Sequence, residues 1–276
     1  MSSAISHDEY QSFSLFLEKA CGITLGENKQ YLIASRLQKL MDSVNISSIG
    51  ELVTQLQRGD TQLRGKIVDA MTTNETLWFR DSHPYVILEK ELFPEAAEQK
   101  RSRPARIWSA ACSSGQEPYS MSMVAQEYIK ANPGALPRDV EIVATDISKT
   151  ILEQARQARY DEMSLVRGIS LERRNRYFKQ DGNTWELNQE IKRRVRFTEL
   201  NLMQSFVSLG KFDIIFCRNV LIYFSAELKT DILNRMAKQL QPNGYLVLGS
   251  SESITGYTDA FKMVRCGGAV YYQLIS

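Results

Sequence analysis

Over residues 7–70 the apolar positions recur at three- and four-residue steps. Phe13, Phe16 and Leu17, and then Leu32, Ile33, Leu37, Leu40 and Met41, each line one stripe of a helix. The pattern predicts helices only. Ser48 followed three residues later by Glu51 reads as a helix start, with the serine as cap. Met71–Arg80 (MTTNETLWFR) breaks the pattern, since Thr72, Thr73, Asn74 and Thr76 suit turns and contacts better than helix interiors. Pro94 and the run Lys100–Pro104 mark the approach to a different region. From Arg106 short apolar runs alternate with helical stretches. Strands are expected near 106–112, 140–146, 195–199, 212–218 and 244–249, with a closing pair around 261–275 that turns at Cys266-Gly267-Gly268. Helices are expected near 117–131, 148–158, 170–179 and 225–240. Such alternation predicts an α/β fold whose mostly parallel sheet is covered on both faces. Lys179–Arg194, with Asp181-Gly182-Asn183 as turn residues, reads as a small β excursion from that sheet. The expected divisions are a helical domain at 1–75, a linker at 76–105 and a sheet domain at 106–276, with the β-subdomain at about 179–196.

Length and composition narrow the class. The 276 residues hold one catalytic domain plus a small extra one, and 43% hydrophobic with 24% charged residues is ordinary for a soluble protein. No apolar run approaches the ~18 residues of a membrane span. The start, MSSAISHDEY, lacks the basic and apolar regions of a signal peptide. Cys21, Cys112, Cys217 and Cys266 form no C-x-x-C pair, so neither a zinc site nor a disulfide framework is indicated. A reduced, cytoplasmic protein without a metal is expected. A net charge of +2 argues against a general nucleic-acid binder. Basic residues do gather over 149–196, from Arg156 and Arg159 to Arg194 and Arg196. That cluster is either a solvated face or a docking face for an acidic protein.

Candidate chemistry sits where strands end. The apolar run at Ile107, Trp108, Ala110 and Ala111 passes through small residues and Gly115 into a helix opening at Glu117. That strand, tight turn and helix start is where a doubly wound sheet binds its ligand. Only Gly115 is present, so G-x-G-x-x-G is absent and a pyrophosphate cradle is poorly supported. The second strand ends in Asp146, placed to accept hydrogen bonds from ribose hydroxyls; the alternative is a helix cap, a role Ser148 could also fill. An acidic strand end without a phosphate loop suggests a nucleoside cofactor lacking phosphates, of which S-adenosylmethionine is the common one. Glu117 is placed for the cofactor's ammonium group, although acidic residues also favour helix N-termini for dipole reasons.

SAACSSGQEPYS (Ser109–Ser120), MTTNETLWFR, Asn201-Leu202 and FCRNVLIYF (Phe216–Phe224), taken together, resemble the CheR-type chemotaxis receptor glutamate methyltransferases over nearly the whole chain. The resemblance implies a Rossmann-like S-adenosylmethionine methyltransferase sheet with an N-terminal all-helical domain and a small inserted β-subdomain. It implies methyl transfer to glutamates on chemoreceptor cytoplasmic helices, with S-adenosylhomocysteine as product. By the same resemblance Asn74, Thr76, Arg80, Glu117 and Asp146 are cofactor ligands. Asn201 and Leu202 embrace the adenine, and Arg218 and Asn219 floor the methionine part. A monomer that neither binds nucleic acid nor inserts in a membrane is expected. An RNA or small-molecule methyltransferase, or an idle cofactor-sensing scaffold, are the competing readings.

A glutamate carboxylate, with a pKa near ~4.3, is ionised at neutral pH and needs no general base. Only His7 and His83 are available in any case, and His83 reads as structural. Positioning must then carry catalysis. Arg80 is the candidate to hold the acceptor carboxylate with its fork of donors. Tyr223 is the candidate to orient it and flank the sulfonium, against the plainer reading of one aromatic in a buried VLIYF run. Gln116 stands where the family often has a second Glu, and Ser250 of GSSE (Gly249–Glu252) where it commonly has His. Lys29, Arg36 and Lys39 share a narrow helical arc, read as a docking surface for acidic receptor helices. The segment between Phe178 and Val195 is shorter than in members that grip a receptor's C-terminal tether by strand addition. Lys192, Arg193 and Arg194 would further guard such an edge. Methylation independent of a receptor C-terminal pentapeptide is the resulting expectation.

Overall fold

Four helices come first, α1 (His7–Cys21), α2 (Gln30–Ser43), α3 (Ile49–Gln57) and α4 (Thr61–Met71), in a computed structural model that describes residues 5–99 and 102–275. Lys100 and Arg101 of the basic approach to the sheet, and the first four residues of the N-terminal stretch, lie outside the described residues. The helix starts are set locally. Ser6 caps α1 in a reciprocal box with Glu9, Ser48 caps α3 and Asp60 caps α4. Glu51 closes the α3 start on the Ser47 N–H and hydroxyl, at 2.9 and 3.0 Å, and not on the capping serine. Phe13, Leu17, Ile33, Leu37, Leu52 and Ile67, all 0% exposed, form the core where the stripes converge. Helix α1 ends at Gly22 with φ +78°, a left-handed cap. That left-handed backbone favours glycine, and a Cβ there would also push on the end of the Leu228 side chain of the second domain.

The segment expected to be a linker is largely helical. Helix α5 (His83–Ile87), a π-helical turn (Leu88–Leu92) and α6 (Phe93–Glu98) follow without interruption, burying Tyr85, Ile87, Leu88, Leu92 and Phe93 in the core beside the sheet. Pro94, which read as marking the approach to the sheet, occupies a first-turn position in α6, as Pro84 does in α5, where a missing N–H costs little.

The sheet domain runs β1 (Ala105–Ala110), α7 (Gln116–Ala131), β2 (Val140–Asp146), α8 (Lys149–Gln157), β3 (Arg159–Asp161), α9 (Glu162–Val166), α10 (Leu171–Tyr177), β4 (Phe178–Asp181), β5 (Thr184–Leu187), α11 (Gln189–Lys192), β6 (Val195–Glu199), β7 (Phe212–Cys217), α12 (Ala226–Gln239), β8 (Leu240–Leu248), β9 (Phe261–Cys266) and β10 (Ala269–Leu274). Seven strands form the main sheet in the order β6-β2-β1-β7-β8-β10-β9. The first five are parallel, and β10 runs antiparallel between β8 and β9. Buried side chains line both faces, Ile107, Ile142 and Ile214 on one and Trp108, Val143 and Ile215 on the other. The chain order reverses between β1 and β7, so a crevice opens at the carboxyl ends of these strands.

The small sheet, order β3-β5-β4, begins at Arg159 and is larger than an excursion confined to 179–196. Its β4–β5 hairpin closes through Gly182-Asn183, since Asp181 pairs with Thr184. Lys192, Arg193 and Arg194 do not guard its edge. Lys192 pairs with Glu186, Arg193 with Asp139, and Arg194 is buried on Asp139, Gln126 and the Glu190 carbonyl. Several other basic residues of 149–196 are also ion-paired: Arg159 with Asp181 and Glu186, Arg167 with Glu75, Arg173 with Glu127 and Arg174 with Glu162. Much of this basic face is tied by internal ion pairs whose arginines stay partly exposed, as Arg167 and Arg193 do.

Candidate active site

The chain leaves β1 through Ala111–Gly115, where Ala111 and Ser113 hold φ of +59° and +51° and Gly115 holds +94°. Left-handed non-glycine residues cost on the order of 1–3 kcal/mol each, so such a turn persists only where its surroundings fix it. Here they do. The Cys112 N–H donates to the Thr145 carbonyl at 2.9 Å, and the Ser113 hydroxyl to the Asn74 carbonyl at 2.9 Å. The Tyr160 hydroxyl of the small sheet donates to the Ser114 carbonyl at 2.8 Å. At Gly115 a Cβ would press on Tyr119 and Ala155 at 3.1 and 3.2 Å, so α7 packs too closely there for a side chain.

Asp146 ends β2 beside this turn. Its carboxylate accepts the N–H of Ser113 at 2.9 Å and of Ser148 at 3.0 Å. Burial pushes its pKa up, against the lowering effect of these N–H groups. Ser148 is the cap of α8, accepting from the Ile151 N–H, so Asp146 is not needed there. Cys112 lines the same space, but burial pushes its thiol up and it packs as an apolar residue.

Glu117 and Arg218 form a buried ion pair at 2.9 Å, with side chains 12% and 1% exposed. Glu117 also accepts from the Ser109 hydroxyl at 2.8 Å. Arg218 donates as well to the Arg80 carbonyl at 2.8 Å and to Asp81 at 2.7 Å. It thereby ties the end of β7 to the segment after α4. The next residue, Asn219, has φ +57° and opens the turn that carries Tyr223.

The helical domain supplies the opposite wall. Thr24 donates its N–H and hydroxyl to the Tyr223 carbonyl at 2.9 and 3.1 Å, and the Asn201 amide donates to the Ala20 carbonyl at 2.9 Å. Arg36 of α2 reaches the Met71 and Thr72 carbonyls and the Thr73 hydroxyl. Arg36 is therefore a clamp on the segment after α4 and lines the cleft, which corrects its place in a free docking arc. Lys39 of that arc is exposed, and Lys29 stands on the cleft's rim ahead of α2.

The result is one cleft of about 1330 Å³, mouth included, between the two domains. Asn74, Thr76 and Arg80 line it from the segment after α4, Glu117 from α7, and Asp146 from β2. Asn201 and Leu202 line it after β6, and Arg218, Asn219 and Tyr223 after β7. Every residue singled out in the sequence as a site candidate thus faces the same space. Arg36, Ser113 and Glu252 are functional-looking residues that the motifs did not single out. Glu252 lay within the quoted GSSE tetrapeptide, and Arg36 carried only a helical spacing that does not say which domain it faces. Gln116, the departure beside Glu117, accepts from the Ser114 hydroxyl at 2.8 Å, and Ser250 is exposed.

The donor set fits an S-adenosylmethionine-sized zwitterion: a carboxylate at the second strand end, apolar walls at Ile147, Leu200 and Leu202, and paired charges at the far end. A switch-point crevice with this set, under a parallel sheet closed by an antiparallel strand pair, defines an S-adenosylmethionine-dependent methyltransferase. Residues 74–270 match the family model of the CheR methyltransferase SAM binding domain, and residues 8–72 that of the CheR methyltransferase all-alpha domain. The chain belongs to the CheR family and is a protein-glutamate O-methyltransferase. It is 51% identical to chemotaxis protein methyltransferase Cher2 of Pseudomonas putida, over 96% of this chain and 97% of that one. Chemotaxis protein methyltransferase 1 of Pseudomonas aeruginosa is 51% identical, with 96% and 97% covered. The chemotaxis protein methyltransferase of Vibrio parahaemolyticus is 52% identical, with 98% of each chain covered. Among the described residues, no helix is long and apolar enough to cross a membrane.

Proposed function

We propose that this enzyme methylates glutamate side chains on the cytoplasmic helices of chemoreceptors, working as a cytoplasmic monomer. When bound, the cofactor supplies an electrophilic methyl group on a sulfonium and departs as S-adenosylhomocysteine. Asp146 accepts from the ribose hydroxyls with the lone pairs left free by Ser113 and Ser148. Leu202 packs against the adenine; the Asn201 amide, already joined to Ala20, shapes that end of the cleft by placement. Glu117, Arg218 and Asn219 bind the methionine end, and Asn74 and Thr76 close over it. Arg80 holds the acceptor carboxylate and Tyr223 orients it. No proton need be removed from an acceptor that is already ionised. The rate then rests on alignment, which contributes roughly 7–11 kcal/mol in favourable cases.

The observation that carries this reading is the convergence of the candidate side chains on one cleft closed by the helical domain. Labelled S-adenosylmethionine incubated with the enzyme and receptor-containing membranes should yield base-labile methyl esters. A chain that binds the cofactor yet forms none would refute the reading. Docking is assigned to the exposed side of the helical domain near Lys39, with Lys29 at the rim. Independence of a receptor pentapeptide is supported by the compact hairpin, whose four-residue strands turn through two residues. Saturable, tight binding of a tether-like pentapeptide to the β4–β5 sheet would overturn that part alone.

A further inference from the structure

The turn that presents Asn219 and Tyr223 is not held by its own side chains. It is held by a carboxylate from the loop after β8. One oxygen of Glu252 accepts the N–H of Asn219 at 2.6 Å and of Gly249 at 2.9 Å. The other accepts the N–H of Val220 at 3.1 Å and of Leu221 at 2.9 Å. Four backbone donors from the ends of two neighbouring strands thus converge on one side chain. The fit is close, because a Cβ at Gly249 would stand 2.7 Å from Glu252 Oε2 and 2.8 Å from Asn219 Nδ2. Asn219 itself sits at a left-handed φ of +57°, so its N–H and that of Val220 are presented to the carboxylate from a sharp turn. Four residues on, the same turn sets Tyr223, whose carbonyl is fixed in turn by Thr24 of the helical domain.

We propose that Glu252 is a positioning residue for methyl transfer, acting through the 219–223 turn to place the Tyr223 hydroxyl and the Asn219 amide in the cleft. It lines no part of the cleft itself. A carboxylate suits the task because ionised oxygens take two N–H donors each, whereas a glutamine keeps only one such oxygen and sets an NH₂ against the remaining donors. This inference rests on the role given to Tyr223 in the proposed function.

The test compares the full-length enzyme with Glu252→Gln, Tyr223→Phe and the double variant, each with receptor membranes and labelled S-adenosylmethionine. Thermal melting and S-adenosylhomocysteine titration are run in parallel. Glu252→Gln should lower kcat at least tenfold at saturating substrates while the receptor KM changes less than threefold. In the Tyr223→Phe background the same substitution should cost less than threefold. A Glu252→Gln enzyme within twofold of the parent kcat overturns the proposal. So does an undiminished cost in the double variant, or a Tyr223→Phe enzyme as fast as the parent. Should Glu252→Gln fail to melt cooperatively, Glu252→Asp is read by the same thresholds, since it keeps the charge but is one methylene short of the four donors. The methyltransferase reading fails separately, only if the parent forms no base-labile ester.

Discussion

Replacing Asp146 by alanine tests the cofactor site at its most buried acceptor. The carboxylate is 7% exposed and already satisfies the N–H groups of Ser113 and Ser148. If its remaining lone pairs take two ribose hydroxyls, each lost charged hydrogen bond costs about 1.5–3 kcal/mol. Even the lower bound for two, about 3 kcal/mol, is a loss of more than 100-fold in affinity. The two backbone N–H groups also lose their acceptor, so the variant should melt lower; Asp146→Asn, similar in size, separates charge from volume. Burial raises the Asp146 pKa, and the ribose-binding form is the ionised one. Affinity should therefore be complete above the raised pKa and fall on acidification, starting at higher pH than the ordinary value near ~3.9. Asparagine should flatten this dependence. Calorimetric titration with S-adenosylhomocysteine between pH 4 and 8 measures both effects. Affinity of Asp146→Ala within threefold of the parent, or an unchanged pH profile in Asp146→Asn, would refute the assignment.

Arg218→Met should destabilise the fold by about 3–5 kcal/mol because Glu117 is left buried without its cation, and adding Glu117→Gln should restore much of the melting temperature; no recovery would mean the two are uncoupled. Lys39→Glu should raise the receptor KM in a salt-sensitive way with cofactor affinity intact, whereas Arg36→Glu should weaken cofactor binding by releasing residues 71–73. Equal effects of these two on the cofactor would reject the clamp. Arg80→Lys keeps the charge but loses the fork and should lower kcat, as checked by the methyl-ester assay.

Much of this architecture was legible because it rests on local signals. The stripe Phe13, Leu17, Ile33 and Leu37 could bury only as helices, and Val140–Asp146 could only be a buried strand ending at a charge. Ser48 announced its helix through its cap. The helical run 83–98 was hidden because Pro94 read as the edge of another region, and a π turn leaves no pattern in composition. Strand β3 is three residues long with Tyr160 alone facing inward, too short for alternation to register. At the site, residues sitting in motifs were readable, while Arg36 and Glu252 act across domains or between strand ends, on backbone groups. Periodicity describes a helix face but not its neighbour, and a glutamate in a loop gives no sign that four N–H groups await it.

The joint at Thr24 and Tyr223, with its companions at Ala20–Asn201 and Asp69–Thr150, makes the cofactor cleft a property of neither domain alone. Any ligand held there is a wedge whose binding free energy counts equally toward keeping the two cores together. At a hundredfold excess over its dissociation constant that is about 2.7 kcal/mol of cohesion. Helical and sheet cores that would part at different temperatures when empty should part together when loaded. Reciprocally, whatever pries the helical domain from Tyr223, such as a receptor helix levering on α2, lowers the hold on the spent product by the same amount.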